Sequence, residues 1–345
     1  MSDRPAAPAP ARATRSTTVT ALDVARVAGV SAITVSRALN TPDQLTDATL
    51  QRVREAIEQT GYVPNLLAKS LNANTSARLV AAVVPTISGP IFSASVQALT
   101  QALAEHRYQL MLGQTGYEDS REDDLLDAII GRRPDGIVLT GVMHSARGRK
   151  RLVASGIPVV ETWDLTNDPI DMLVGFSHEQ VGHAVCDAFH AKGRRKLGLI
   201  TARDVRAERR GRAFTQRAES LDLADVVYAY APAPGTLAGG RAALAALLAE
   251  HPDTDAVFCS SDMLALGALT EANARGLDVP GTLAVIGFGD LDFAASLHPA
   301  LSTVRIDGVA IGGQAARFII DRSEKREVRE RIVDVGFELI ERASS

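Results

Sequence analysis

Residues 20 to 40, TALDVARVAGVSAITVSRALN, read as two short helices joined by a tight turn, the size of a DNA-reading element. Thr20 is placed to cap the first helix, with Asp23 three residues on as its reciprocal partner. Ala21, Val24, Ala25 and Ala28 then recur at i, i+3, i+4 and i+7, so they share one helix face. Small residues on that face let a second helix cross closely. Gly29 supplies the permissive backbone of the turn, and Ser31 is placed to cap the second helix. That second helix is expected to bury Val35, Ala38 and Leu39. Ala32, Ile33, Ser36, Arg37 and Asn40 then lie on its other face, the one that enters a major groove if the unit docks on DNA.

Working outward, residues 1 to 18 are rich in Pro, Ala, Ser and Thr and carry Arg4, Arg12 and Arg15. This predicts a disordered arm, inert or touching phosphates. Thr46 is placed to cap a third helix that carries Leu50, Val53 and Ile57 on one face and ends at Gly61. Pro64 turns the chain out of helix. NLLAKSLN, residues 65 to 72, is helix-compatible but only two turns long, too short to hold in water unless something packs on it. From Leu79 onward the pattern changes. Apolar runs of strand length (LVAAVV, GIVLT, IPVVE, KLGLIT, DAVFCS, LAVIGF) alternate with amphipathic helical stretches, which predicts parallel sheets covered by helices on both faces. Roughly 260 residues of this pattern suit two lobes better than one.

The chain has 345 residues with 46% hydrophobic and 23% charged, an ordinary globular composition. Its apolar runs are too short for a membrane span, and the N-terminus lacks the apolar core of a secretory signal. Cys186 and Cys259 stand alone, without metal-ligand spacing, and read as buried fillers in a reduced, cytoplasmic protein. The net charge of -4 hides an asymmetry. Residues 1 to 80 hold nine basic and six acidic residues, hence +3, while the remainder holds 28 and 35, hence -7. A basic head on an acidic body suits a small DNA-binding module joined to a larger domain that does not bind DNA.

No catalytic constellation stands out. GxSxG, HExxH and Walker A patterns are absent, and His178 and His183 are five apart, out of metal-binding register on a helix. No metal or cofactor is expected. Gly287-Phe288-Gly289-Asp290 lacks the third glycine of a dinucleotide turn and reads as the point where a strand leaves its sheet. That point is also the ligand edge of an open α/β sheet, so Asp290 is a candidate ligand contact. Arg209 and Arg210, in ARDVRAERRGRAF, begin a helix at the carboxyl end of the strand Leu197 to Thr201. Such a run is often a solvated face, yet an Arg there can grip a carboxylate or hydroxyls. Asp164 adjoins Trp163, the only tryptophan. The pair suits either a sugar site, with edge hydrogen bonds and face stacking, or a surface loop.

Taken together, LDVARVAGVSAITVSRALN, then GYVPNLLAKSL, then an α/β body containing SSDMLALGAL and VIGFGDLDFAASLHPALSTVRID, resemble the LacI/GalR family of bacterial transcription regulators from about Thr17 on. The fold class implied is an all-α helix-turn-helix head followed by a two-lobed, periplasmic-binding-protein-like α/β body. The expected boundaries are an arm at 1–18, a DNA-binding head at 19–63, a hinge helix and linker at 64–77 and a body at 78–345. Lobe 1 would take about 78–175 and 306–336, and lobe 2 about 176–305 and 337–345.

The resemblance further implies a homodimer on a near-palindromic double-stranded DNA operator. Ala32, Ile33 and Arg37 would stand at base-reading positions. Thr20, Ser31, Thr34, Ser36 and Asn40 would contact phosphates, and Asn65, Ala68 and Leu71 would belong to the hinge, with Leu71 wedging the minor groove. Arg210 matches the family's effector-binding arginine. Asp164, Trp163, Phe176, Ser261 and Asp290 fall at or beside other effector positions. Two departures stand out: Gly289 replaces an aspartate common in sugar-binding members, and Ser261 replaces a common asparagine. RPDGIVLTGVMHS and IPVVETWDLTNDPIDMLVGFSH look like the gluconate repressor branch. A sugar acid, held by Arg210 with His144, is the expected effector, and a repressor the expected action. A neutral sugar or purine effector, an activator, and more distantly a transport-type sugar-binding protein are the alternatives. Few residues follow Phe337, too few for the leucine-heptad tail of tetrameric members.

Overall fold

The structure, a computed structural model, describes residues 19–64, 76–116, 119–143 and 145–345, without side chains at 119–122. It divides into two compact units, residues 1–75 and 76–345. The arm at 1–18, the hinge residues Asn65, Ala68 and Leu71, and His144 lie outside the described residues.

Three α-helices lie in the described part of the first unit, α1 (Ala21–Ala28), α2 (Ala32–Asn40) and α3 (Asp47–Thr60), with a 3-10 turn at Pro42–Gln44 between the last two. Thr20 and Asp23 form the expected reciprocal start of α1. The Thr20 backbone N–H donates to Asp23 Oδ2 at 3.0 Å and its hydroxyl donates to the same oxygen at 2.7 Å. Gly29 closes α1 at φ +65°, and Thr34 N–H donates to Ser31 Oγ at 3.1 Å to open α2. Val24, Ala25, Ala28, Val35, Val53 and Ala56 form the core. Three expectations are corrected. Leu39 is exposed, because the head core closes over Val35, one turn earlier, and the adjacent Ala38. Ala32 is half-buried against that core rather than free on the outer face. The Thr46 hydroxyl meets the Thr49 hydroxyl at 3.0 Å instead of capping an amide.

The second unit has two six-stranded sheets. The first contains β1 (Leu79–Val84), β2 (Gln109–Gln114), β3 (Gly136–Thr140), β4 (Val159–Thr162), β5 (Met172–Gly175) and β11 (Ile332–Asp334), in the order β11-β5-β4-β3-β1-β2 and parallel throughout. The second contains β6 (Leu197–Ala202), β7 (Val227–Ala231), β8 (Ala256–Cys259), β9 (Ala284–Phe288), β10 (Ser302–Arg305) and β12 (Glu338–Ile340). Its order is β12-β10-β9-β8-β6-β7, with only β12 antiparallel. The chain therefore passes between the sheets after β5, after β10 and after β11.

Helices cover the sheets: α4 (Ser93–Glu105), α5 (Asp119–Ile130), α6 (Ala146–Ser155) and α11 (Gly308–Ser323) beside the first, and α7 (His178–Ala191), α8 (Val205–Ser220), α9 (Leu237–Glu250) and α10 (Asp262–Ala274) beside the second. The central strands are buried on both faces, which is why they read as unbroken apolar runs. One hydrophobic cluster runs continuously from Val80, Leu103 and Phe318 beside the first sheet to Phe258, Ile286 and Phe288 in the second. An aromatic chain bridges the junction: Phe92 to Trp163 at 5.1 Å, Trp163 to Phe176 at 6.1 Å and Phe176 to Phe288 at 6.1 Å between ring centroids. Among the described residues no helix is long and apolar enough to cross a membrane.

Candidate functional site

A cavity of about 80 Å³ opens where the carboxyl ends of both sheets meet that aromatic chain. Ile91, Phe92 and Trp163 line it from the side of the first sheet. Ala202, Asp204, Arg206, Ala207, Arg210, Gly235, Ser260, Ser261 and Phe288 line it from the second, with His178 at the start of α7. This is the crevice in which α/β sheets hold ligands.

Arg210 is the chemically decisive residue. Its side chain is only 4% exposed, and its guanidinium lies 3.8 Å from the centre of the Phe288 ring. Its Nη2 donates to the Ser260 carbonyl at 3.1 Å and its Nη1 donates to His178 Nδ1 at 3.0 Å. Nε finds no partner among the described residues. No carboxylate forms an ion pair with Arg210 among the described residues, and burial lowers its pKa to about 10, so it remains a cation at neutral pH. A buried cation held only by neutral acceptors is costly until an anion joins it.

Two neighbouring arginines on α8 reach the other sheet. Arg206 pairs with Asp204 at 3.3 Å, donates to the Thr140 carbonyl at 3.2 Å and lies over the Phe92 ring. Arg209 pairs with Asp164 at 2.5 Å and with Glu179 at 2.8 Å. Burial pushes the Asp164 carboxyl up, and Arg209 only partly offsets it. Trp163 adopts φ +62°, a left-handed backbone that strains a bulky residue by about 1–3 kcal/mol and that surrounding contacts must hold. Its indole Nε1 donates to Ser95 Oγ at 3.1 Å and its carbonyl accepts from His178 Nε2 at 3.0 Å.

The candidates read from the sequence fall into two groups. Arg210, Trp163 and Ser261 line the cavity together. Asp164, Phe176 and Asp290 do not. Asp164 is taken by Arg209. Phe176 is fully buried behind Trp163. Asp290 gives both oxygens to Arg305 and Arg342, each at 2.7 Å. His178, Arg206, Asp204, Phe92 and Ser260 were missed. Arg206 and Asp204 stood in the basic run already singled out, and Phe288 in the GFGD turn. His178 was weighed only as a metal ligand, and spacing along one helix carries no hint of a partner on the next. Among the described residues no group of His, Cys, Asp and Glu could hold a metal. Cys186 and Cys259 are fully buried, and burial pushes both thiols up.

On the head, Ile33 is 66% exposed and Ser36, Arg37 and Asn40 are exposed beside it. Ser31 and Thr34 share a hydroxyl contact at 2.9 Å, and Asn40 Nδ2 donates to Ser36 Oγ at 3.2 Å. Among the described residues Arg37 forms no ion pair, so its charge faces outward.

A capped helix pair with an exposed polar and apolar reading face, and a separate α/β body with an arginine-lined cavity, define a DNA-binding transcriptional regulator with a ligand-binding domain. Residues 20–65 match the bacterial regulatory proteins of the lacI family, and residues 186–345 match the periplasmic binding protein-like domain. The chain is 36% identical to the HTH-type transcriptional regulator GntR of Pseudomonas aeruginosa over 94% of both chains. A LacI-family regulator from Silicibacter pomeroyi superposes with a TM-score of 0.89 at 31% identity, over 94% of this chain and 99% of that one. The transcription regulator GntR of Chromobacterium violaceum superposes at 0.73 and 33% identity, over 77% and 99%. The chain belongs to the lacI family of bacterial regulatory proteins and is a regulator, not an enzyme.

Proposed function

We propose that this regulator is a repressor that binds a near-palindromic operator as a homodimer and is released by a small sugar acid such as gluconate. The carrying observation is Arg210, a buried guanidinium that lines the cavity with no carboxylate partner among the described residues. An anionic ligand would neutralise it and use its remaining donors, whereas a neutral sugar would leave only the more distant Asp204 and Asp164 to offset the charge. Gly289, where sugar-binding members often carry an aspartate, fits the same preference. Two relatives, from Pseudomonas aeruginosa and Escherichia coli, bear the name GntR.

In this reading Ile33 contributes apolar contact with base edges, Arg37 donates to a guanine or a phosphate, and the hydroxyls of Thr20, Ser31 and Ser36 position the head on phosphates. Asn65, Ala68 and Leu71 act as the hinge on the operator. The ligand draws the two lobes onto Arg210, and coupling of about 1–3 kcal/mol to the head weakens operator binding roughly 5- to 150-fold. It does so only if it prefers the DNA-incompetent state.

Trp163 lines the cavity and is the only tryptophan, so its emission reports occupancy. Titration with D-gluconate, galactose and a purine, alongside operator binding by gel shift, tests the proposal. Gluconate is expected to change the emission and release the DNA, and Arg210→Ala to remove both effects while operator affinity persists. A response to galactose or purine alone would sink the sugar-acid reading.

A further inference from the structure

We propose that His178 is the positioning residue of this cavity: its imidazole holds the Arg210 guanidinium against the backbone of Trp163 across the lobe junction, and so sets the orientation in which an anion meets it. The proposal rests on reading the cavity as the effector site.

A guanidinium can only donate, so the 3.0 Å contact from Arg210 Nη1 requires a bare lone pair on His178 Nδ1. The ring proton must then sit on Nε2, where it meets the Trp163 carbonyl at 3.0 Å. One neutral tautomer satisfies both contacts at once, and a doubly protonated ring satisfies only one. Burial, and then Arg210, Arg206 and Arg209, hold the ring pKa well below its ordinary value, which keeps that lone pair available. The ring has little freedom to turn. It is 1% exposed and stands edge-on to Phe176, with centroids 4.7 Å apart.

The backbone is fixed as well. His178 is the first residue of α7, whose start is held by Gln180 N–H donating to Ser177 Oγ at 3.2 Å. The other two restraints on Arg210, the Ser260 carbonyl and the Phe288 ring, both belong to the second sheet's side. Among the described residues only His178 ties the guanidinium to Trp163 by hydrogen bonds, at the end of a strand of the first sheet. A ligand that touches Trp163 and Arg210 together therefore meets two groups set in register by one ring.

Two substitutions on the full chain separate the ring's halves. In His178→Asn the amide oxygen stands near the Nδ1 position and can still accept from Arg210. In His178→Gln the amide nitrogen stands near Nε2 and can still donate to Trp163. With D-gluconate as the probe and Trp163 emission as the readout, His178→Gln is expected to weaken binding roughly 10- to 100-fold, the scale of a lost charge-assisted hydrogen bond. His178→Asn is expected to stay within about threefold of the parent, since it keeps that bond. Equal affinity in both variants and the parent, or tighter binding by the Gln variant, would overturn the proposal. If the parent chain itself ignores gluconate, the sugar-acid reading fails separately. His178 is then judged by ¹⁵N NMR of its ring in the unsubstituted protein, a readout that also decides if a variant fails to fold. A protonated Nε2 with bare Nδ1 supports the assignment, and a protonated Nδ1 or a charged ring refutes it.

Discussion

At the scale of single residues, two of the buried charges in the α/β body have opposite arrangements. Arg210 has neutral acceptors and an open cavity. Asp262 is fully buried and satisfied from within, with Thr303 Oγ1 donating at 2.5 Å and Leu291 N–H at 2.8 Å. Burial nevertheless wins over those bonds and raises the Asp262 pKa from 3.8 to about 6. Between these two values the folded chain holds a proton that the unfolded chain has released. Stability from this group is therefore greatest below pH 3.8, falls as pH rises toward 6 and is level above it. Asp262→Asn keeps an acceptor for Leu291 and removes the titration. Urea unfolding from pH 4 to 7 should show the parent losing stability relative to the variant up to about pH 6, on the order of 1 kcal/mol per pH unit. Parallel curves would show that Asp262 does not titrate there.

At the scale of elements, two helix crossings in the α/β body are made at glycines. A Cβ on Gly182 of α7 would lie 2.3 Å from the Arg210 carbonyl oxygen and 2.8 Å from the Phe214 nitrogen. A Cβ on Gly312 of α11 would lie 2.1 Å from the Ser95 carbonyl oxygen in α4. Both clashes are with backbone, so neither is relieved by a side-chain rotation. Gly182→Ala and Gly312→Ala should each destabilise the body by about 1–3 kcal/mol, read as a lower melting temperature. Only Gly182→Ala moves the backbone of Arg210, so it should weaken ligand affinity more than Gly312→Ala, which shifts Ser95 beneath the Trp163 indole. Equal ligand responses in the two variants would separate the α7–α8 crossing from the cavity. These crossings were hidden in the sequence, because a glycine inside a helical pattern reads as a weak propensity penalty until the neighbouring helix is known. The caps at Thr20 and Ser31 were legible, because capping is settled within four residues.

At the scale of the molecule, the two units carry different chemistry. The head offers its exposed α2 face, and the body encloses a cavity built wholly from residues after Ser76. Residues 76–345 alone should therefore bind the same ligand as the full chain within about twofold, by titration of Trp163 emission, since the cavity's donors and rings all stay in place. A tenfold loss would show that the head shapes the cavity.

The alternation of apolar strands and amphipathic helices, the helix pair at 20–40 and the motifs joining them were enough to specify a helical head, a parallel α/β body and membership in a regulator family. These properties rest on local periodicity, capping and motif order, all written along the chain. The chain also pointed to Trp163, at the carboxyl end of a strand, and to Arg209 and Arg210 in the helix that follows another, with the family resemblance singling out Arg210. Which groups meet was decided only by tertiary structure. Asp290 reads as a free carboxylate until Arg305 and Arg342 close on it, and Asp164 until Arg209 does. His178 reads as a stray histidine until the packing of α7 on α8 sets its ring between Arg210 and Trp163. An ion pair or a tautomer depends on distances between residues 15 to 52 positions apart, and no periodic pattern encodes those distances.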